Sequence, residues 1–199
     1  MKVVKIAIIL CVLFPFSAMA TESSNGIPPE LQDRAMKMVG ELVEESFPEL
    51  KGITFTPKLI KNPAVFLATD INIPSVLVGE REYILYLNKQ LHIQPISDLA
   101  LKGILAHELV HFTDYEKMNA LELAWFYAKI LTNAAFETEY ERATDLKTFE
   151  RGYAIGIKAF RFWLYEQITP EAKALKEKNY YTPEEIDNWL LNQQEVTLL

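Results

Sequence analysis

The sequence predicts an α+β domain, mainly helical, with a small mixed or antiparallel sheet ahead of a helix that carries a His-Glu-x-x-His motif. Three observations predict it. Apolar residues recur at helical spacing over residues 30–47 and again over 97–119, the pattern of helices with a buried face. Residues 53–88 contain short β-prone runs broken by prolines, which read as strands joined by turns. Residues 120–167 contain no proline and little turn chemistry, so helix fits there too.

The chain opens on a targeting segment. Lys2 and Lys5 form a basic start, residues 6–16 are nearly all apolar, and Ala18-Met19-Ala20 fits a small-x-small cleavage rule. Cutting is expected after Ala20. The apolar run is shorter than the ~20 residues a membrane span needs; an uncleaved anchor is the alternative. Cys11, the only cysteine, lies inside this segment without a lipobox before it. The mature chain of 179 residues is long enough for one well-cored domain, residues 21–199, and contains no cysteine. An exported chain without disulfides suits a periplasm or secretion, and any metal in it must be held by histidine and carboxylate. Removing the segment leaves 18 basic against 27 acidic residues. That balance disfavours nucleic acid, which demands a basic footprint, and simple adsorption to anionic lipid.

Residues 21–26 read as a flexible polar start. Pro28 and Pro29 introduce a helix over 30–47, with Leu31, Ala35, Met38, Val39, Leu42 and Val43 on one face and Pro48 and Gly52 ending it. Strands are expected at 53–56, 64–69, 75–78 and, best formed, 81–88. In the last, Tyr83, Leu85 and Leu87 share one face, Ile84 and Tyr86 the other. Ser97 caps the next helix, with Asp98 in its first turn. Leu101, Leu105, Leu109 and Phe112 make one stripe of that helix. Ala100, Ile104, His107 and His111 make the adjoining one, so both histidines point inward. Residues 120–167 read as one long helix, or two with a kink near Gly152. Residues 121–136 are apolar enough to suggest membrane-surface contact, but a buried core helix is the favoured reading. Thr169-Pro170 and Thr182-Pro183-Glu184-Glu185 start two closing helices, the second with a capping box.

The chemistry concentrates at His107-Glu108-Leu109-Val110-His111. The chain has three histidines and two of them form this pair. Four residues apart on a helix, the two imidazoles lie one turn above the other and hold one Zn2+, while Glu108 stands beside the metal to take a proton from water. A catalytic zinc site needs a third protein ligand. His92 lies in the linker before the helix. Asp114, three residues after His111, is badly placed to close a tetrahedron. Glu141 and Asp145 lie one turn apart on the next long helix; Glu141 is the favoured ligand, with Asp145 holding the free ring N–H of a ligand histidine. Ala134, Thr138, Thr148 and Gly152 share that face and are small, which would let the helix approach the motif helix. Tyr140, Tyr153, Arg142, Arg151 and His92 are candidate oxyanion donors, none singled out.

With these residues the chain resembles the gluzincin metallopeptidases, in the HExxH of His107, Glu108 and His111 followed by Glu-x-x-x-Asp at Glu141 and Asp145. The likeness spans residues 81–152. It implies a zincin-like fold, one zinc ion on His107, His111 and Glu141, Glu108 as general base, Asp145 as the outer partner of a ligand, and a peptide or protein substrate. Gluzincins bind substrate as a strand added along a sheet edge, and the strand at 81–88 precedes the motif helix as it does in them. Thr144 stands before the aspartate where many members have alanine, and Tyr140 before the ligand where thermolysin-like members have asparagine, so no subfamily is assigned. The run Phe112-Thr113-Asp114-Tyr115-Glu116-Lys117 lacks the glycine and third histidine of metzincins.

Three functions compete. The first is an exported zinc metallopeptidase. The second is a non-catalytic interaction or assembly factor on the same fold, which would not need Glu108. The third, a di-iron carboxylate bundle built on Glu108-x-x-His111, wants a second Glu-x-x-His that the chain lacks.

Overall fold

The computed structural model describes residues 26–62 and 65–197. The expected export segment and its cleavage point lie outside the described residues, as do residues 21–25 of the expected polar start.

Helix α1 (Pro29–Ser46) begins with a proline in its first turn, where the missing N–H has no partner to lose. It buries Leu31, Ala35, Val39, Leu42 and Val43. A 3-10 turn over Pro48–Leu50 and Gly52, at φ +84°, redirect the chain into the sheet.

Strands β1 (Phe55–Leu59), β2 (Leu67–Ile71) and β3 (Tyr83–Leu87) form a mixed sheet in the order β1-β3-β2. β3 runs parallel to β1, with Phe55 opposite Tyr83, and antiparallel to β2, with Leu67 opposite Leu87. The two faces of β3 divide as the alternation predicts, and both are buried. Tyr83, Leu85 and Leu87 join the main core; Ile84 and Tyr86 pack with Ile60, Val65 and Ala68 on the other side. Being central, β3 has no free edge, so the strand before the motif helix is not one that a substrate strand could extend. The edges belong to β1 and β2. Residues 75–78, expected as a strand, lie instead at the end of a short helix, α2 (Ile73–Leu77), and the turn after it. Pro74 fixes a helix start there rather than separating two strands, and Ser75 Oγ donates to Asn72 O (2.6 Å).

A one-turn helix, α3 (Gln90–Ile93), leads to the motif helix α4 (Asp98–Glu116). Ser97 Oγ accepts from Ala100 N (3.2 Å), as its position predicts. From Ala100 to Tyr115 every residue except Lys102 is buried, so the two expected stripes are part of a helix enclosed on nearly all sides. It ends three residues before the expected Asn119, because Asn119 caps the next helix in a reciprocal capping box with Glu122.

Residues 120–167 form three helices rather than one or two: α5 (Ala120–Thr132), α6 (Ala134–Glu150) and α7 (Ala154–Gln167). The break near Gly152, at φ +92°, is where the sequence suggests it. The break at Asn133 is not. Its side chain accepts from the N–H groups of Ala135 and Phe136 and starts a new helix. α5 is not a buried core helix. It buries only Leu123 and Phe126 and leaves Leu121 79% and Trp125 64% exposed. Among the described residues no helix is long and apolar enough to cross a membrane.

α7 lies across α4 at a glycine–glycine contact. A Cβ on Gly103 would meet the Gly156 carbonyl carbon at 2.2 Å. The closest backbone approach to the motif helix is therefore made by α7; of the small residues expected on the α6 face, Thr148 is fully buried, Ala134 and Gly152 (just past the helix) are exposed, and Thr138 bonds Asn179. Helices α8 (Pro170–Asn179) and α9 (Pro183–Thr197) begin where expected. Thr169 caps α8, and Thr182 and Glu185 exchange hydrogen bonds (3.2 and 2.8 Å) at the start of α9.

Candidate metal centre

Enclosure of α4 puts His107 and His111 in the interior, stacked one turn apart with ring centroids 4.8 Å apart and planes near perpendicular. α6 faces them with Glu141. His107 Nε2 is 3.2 Å, and His111 Nε2 3.6 Å, from the same Glu141 Oε2. One ligand atom from each of the three residues lies within 4.8 Å of the others. Ligands about 2.0–2.2 Å from a tetrahedral ion stand about 3.3–3.6 Å from one another. Three side chains from two helices thus form a group able to hold a metal ion.

The outer partners decide which nitrogens face that point. His107 Nδ1 donates to Asp145 Oδ1 (2.9 Å), leaving Nε2 toward Glu141. Asp145 is itself fully buried and saturated. Arg161 Nη2 donates to both its oxygens (3.1 Å each) and the Tyr181 N–H to Oδ2 (3.0 Å). His111 Nδ1 is 2.9 Å from the Tyr140 hydroxyl, which likewise leaves Nε2 toward Glu141. Such partners set the tautomer and orientation of a ligand histidine.

The charges are strongly coupled. Burial alone disfavours a charged His107, but hydrogen bonds to Asp145 and Glu141 push its pKa up to about 9. Burial raises Glu141 and the two histidines overcome it, holding the carboxyl well below its ordinary range. Asp145 is likewise held down against burial, by Arg161 first and then by His107.

Glu108, beside the first histidine, is 6% exposed and makes no hydrogen bond or ion pair among the described residues. The other residues singled out from sequence are engaged elsewhere. Asp114 is held by Lys147 (2.7 Å) and Lys117 (3.5 Å). His92 stands on α3, 4.0 Å from Glu30. Tyr153 shares a hydrogen bond with Ser46 (2.8 Å). Arg142 is tied to Glu185 and the Tyr180 carbonyl, and Arg151 to the Ser46 carbonyl and Glu49. Tyr140 serves His111, so it too is committed.

Sequence reasoning missed Arg161, the Tyr181 N–H, and Tyr140 as a partner for His111. Arg161 had a weak signal: it is an arginine amid Phe160, Phe162 and Trp163, where a charge needs a buried counterion. No known protein family, curated protein or solved structure matches the chain.

Proposed function

We propose that the chain is an exported zinc metallopeptidase of the gluzincin type, which hydrolyses peptide bonds with Glu108 as general base. The observation that carries the reading is the convergence of His107, His111 and Glu141 through both Nε2 atoms and a single carboxylate oxygen. Two histidines and a carboxylate are a donor set suited to catalytic zinc, which keeps a fourth position open. A bound zinc ion supplies Lewis acidity to water and to the scissile carbonyl.

The chain's own residues do the rest. Glu108 takes a proton from the attacking water as its oxygen bonds to the carbonyl carbon and the C=O π pair moves onto the carbonyl oxygen. When that pair returns, the C–N bond breaks and Glu108 passes the proton to the leaving nitrogen. Asp145 and Tyr140 keep the two imidazoles aimed throughout. Glu108 also favours catalysis over a purely structural zinc site. It stands beside the first histidine, and no hydrogen bond or ion pair among the described residues commits it to a structural role.

The test is hydrolysis of a mixed peptide library by the zinc-loaded protein. Glu108→Gln should retain zinc and lose at least about 100-fold in kcat, the usual scale for a general base. Chelation should abolish cleavage, and zinc should restore it. A zinc-loaded wild-type protein that cleaves nothing, or a fully active Glu108→Gln variant, overturns the reading.

A further inference from the structure

With every sequence-named donor committed, one further cation, Lys176, is linked to the centre through the Tyr180 ring. Lys176 lies near the end of α8, partly buried. Its ammonium rests 4.8 Å from the centroid of the Tyr180 ring, and that ring lies 6.0 Å from the His107 ring. Glu141, Glu137 and Glu108 are the carboxylates whose field reaches it. None of them forms a hydrogen bond or ion pair with it among the described residues. Other partly buried lysines behave differently. Lys58, Lys102, Lys147 and Lys158 close on Glu82, Glu45, Asp114 and Asp187 at 3.1, 2.9, 2.7 and 2.6 Å. Burial holds the Lys176 pKa below its ordinary value, and among the described residues the ammonium contacts the Tyr180 ring rather than a carboxylate. The helix beneath it is anchored: Thr138 Oγ1 donates to Asn179 Oδ1 (2.9 Å), tying α8 to the helix that bears Glu141.

We propose that Lys176 is a catalytic residue of this site, whose ammonium meets the oxyanion that forms on the scissile carbonyl when water adds. The inference rests on the peptidase reading. The balance is simple. As the π pair moves onto the carbonyl oxygen, a Lys176 N–H donates a charge-assisted hydrogen bond to it. When the pair returns and the C–N bond breaks, the lysine is released unchanged, having neither gained nor lost a proton. A fixed cation aimed at developing charge stabilises the transition state more than the neutral ground state.

The experiment compares full-length wild type, Lys176→Met and Lys176→Arg, each loaded with zinc. On a peptide substrate, Lys176→Met should lower kcat by about 10² to 10³-fold, with KM changed less than about threefold, and Lys176→Arg should recover part of the loss. Calorimetry supplies a readout without turnover. An N-phosphoryl dipeptide, whose tetrahedral anion mimics the oxyanion, should bind Lys176→Met about 100-fold more weakly, on the scale of a lost oxyanion contact. A thermal unfolding midpoint matching wild type shows that the fold is kept, and rescue by arginine serves where it is not. A raised KM with kcat preserved makes Lys176 an anchor for a substrate carboxylate and overturns the proposal. Unchanged kinetics and unchanged phosphoryl-dipeptide binding also overturn it, and leave the peptidase reading standing. A wild-type protein that neither cleaves peptide nor binds the phosphoryl dipeptide overturns both.

Discussion

The motif helix meets its neighbours in two opposite ways. Toward α7 the contact is dry and made of backbone, with Gly103 against Gly156 and no room for a methyl group between them. Toward α6 the contact is made of charge: two histidines, Glu141, Asp145 and, behind them, the buried Arg161. The first surface resists change because nothing in it can move without shifting a whole helix. The second holds its shape only while every charge keeps its partner. The two surfaces are joined through one residue. Arg161 sits on α7, the helix of the glycine contact, and reaches Asp145 on α6. A metal centre needs both properties, a rigid floor and ligands that can trade a proton for an ion.

The comparison breaks most visibly at Arg161. Arg161→Met leaves the buried Asp145 carboxylate without its guanidinium, with only His107 as a charged partner, and removal of one member of a buried ion pair costs about 3–5 kcal/mol. Urea unfolding of the metal-free protein should show that loss. Zinc affinity should fall as well, because the carboxylate that aligns His107 is loosened. A cost under about 1 kcal/mol would mean that the His107 and Tyr181 hydrogen bonds alone hold Asp145.

The charged surface also predicts a pH window. Without metal, the folded-state pKa of His107 is raised from 6.5 to about 9. The stability it contributes is therefore complete below pH 6.5 and is lost as pH rises through 9. Glu141 and Asp145 are depressed below 4.5 and 3.8, so their contribution is complete above those values and is lost as pH falls below them. The metal-free protein should be most stable between about pH 4.5 and 6.5 and lose up to about 3 kcal/mol on going to pH 9.5, at 1.36 kcal/mol per unit. Bound zinc competes with the His107 proton for Nε2, so saturating zinc should flatten the alkaline side. Thermal unfolding across pH, with and without zinc, checks both statements; an alkaline loss of equal size in the two series would remove His107 as its source.

What the sequence made legible follows the range of the interaction. The pair His107 and His111, and the pair Glu141 and Asp145, are one helical turn apart, and spacing of that kind is read directly. So are the caps Ser97, Thr169 and Thr182, whose partners lie three residues on. Partners supplied by distant segments were not legible. Arg161 reaches Asp145 from the next helix and Tyr181 from 36 residues away; the aromatic neighbours of Arg161 hint at a buried counterion without naming it, and nothing local marks Tyr181. Asn133 failed for a different reason. An asparagine inside a helical pattern is common, and only its side-chain bonds to Ala135 and Phe136 turn it into a break. Residues 75–78 failed because Ile73-Pro74 serves equally as a turn between strands or as a helix start. The order of the strands, which moved β3 to the centre, depends on pairing that no single strand encodes.

The dry surface yields the smallest expected effect and the cleanest control. Alanine is the better helix former by about 0.8–1 kcal/mol over glycine, so substitution in an open helix interior should stabilise. Gly40 on α1 is such a position, with nothing within 4 Å of a Cβ built on it, and Gly40→Ala should raise stability by up to that amount. At Gly103 the same gain is opposed by contact with the Gly156 backbone, and overpacking costs about 1–3 kcal/mol. Gly103→Ala should therefore be destabilising. Gly156→Ala should cost less, since its nearest atoms lie at 2.8–2.9 Å rather than 2.2 Å. The double variant should cost less than the sum of the singles, because the first methyl already separates the helices that the second would push apart. Additive losses would show that the two glycines do not share one contact, and a stabilising Gly103→Ala would show that the floor beneath the candidate metal centre yields as readily as an open helix face.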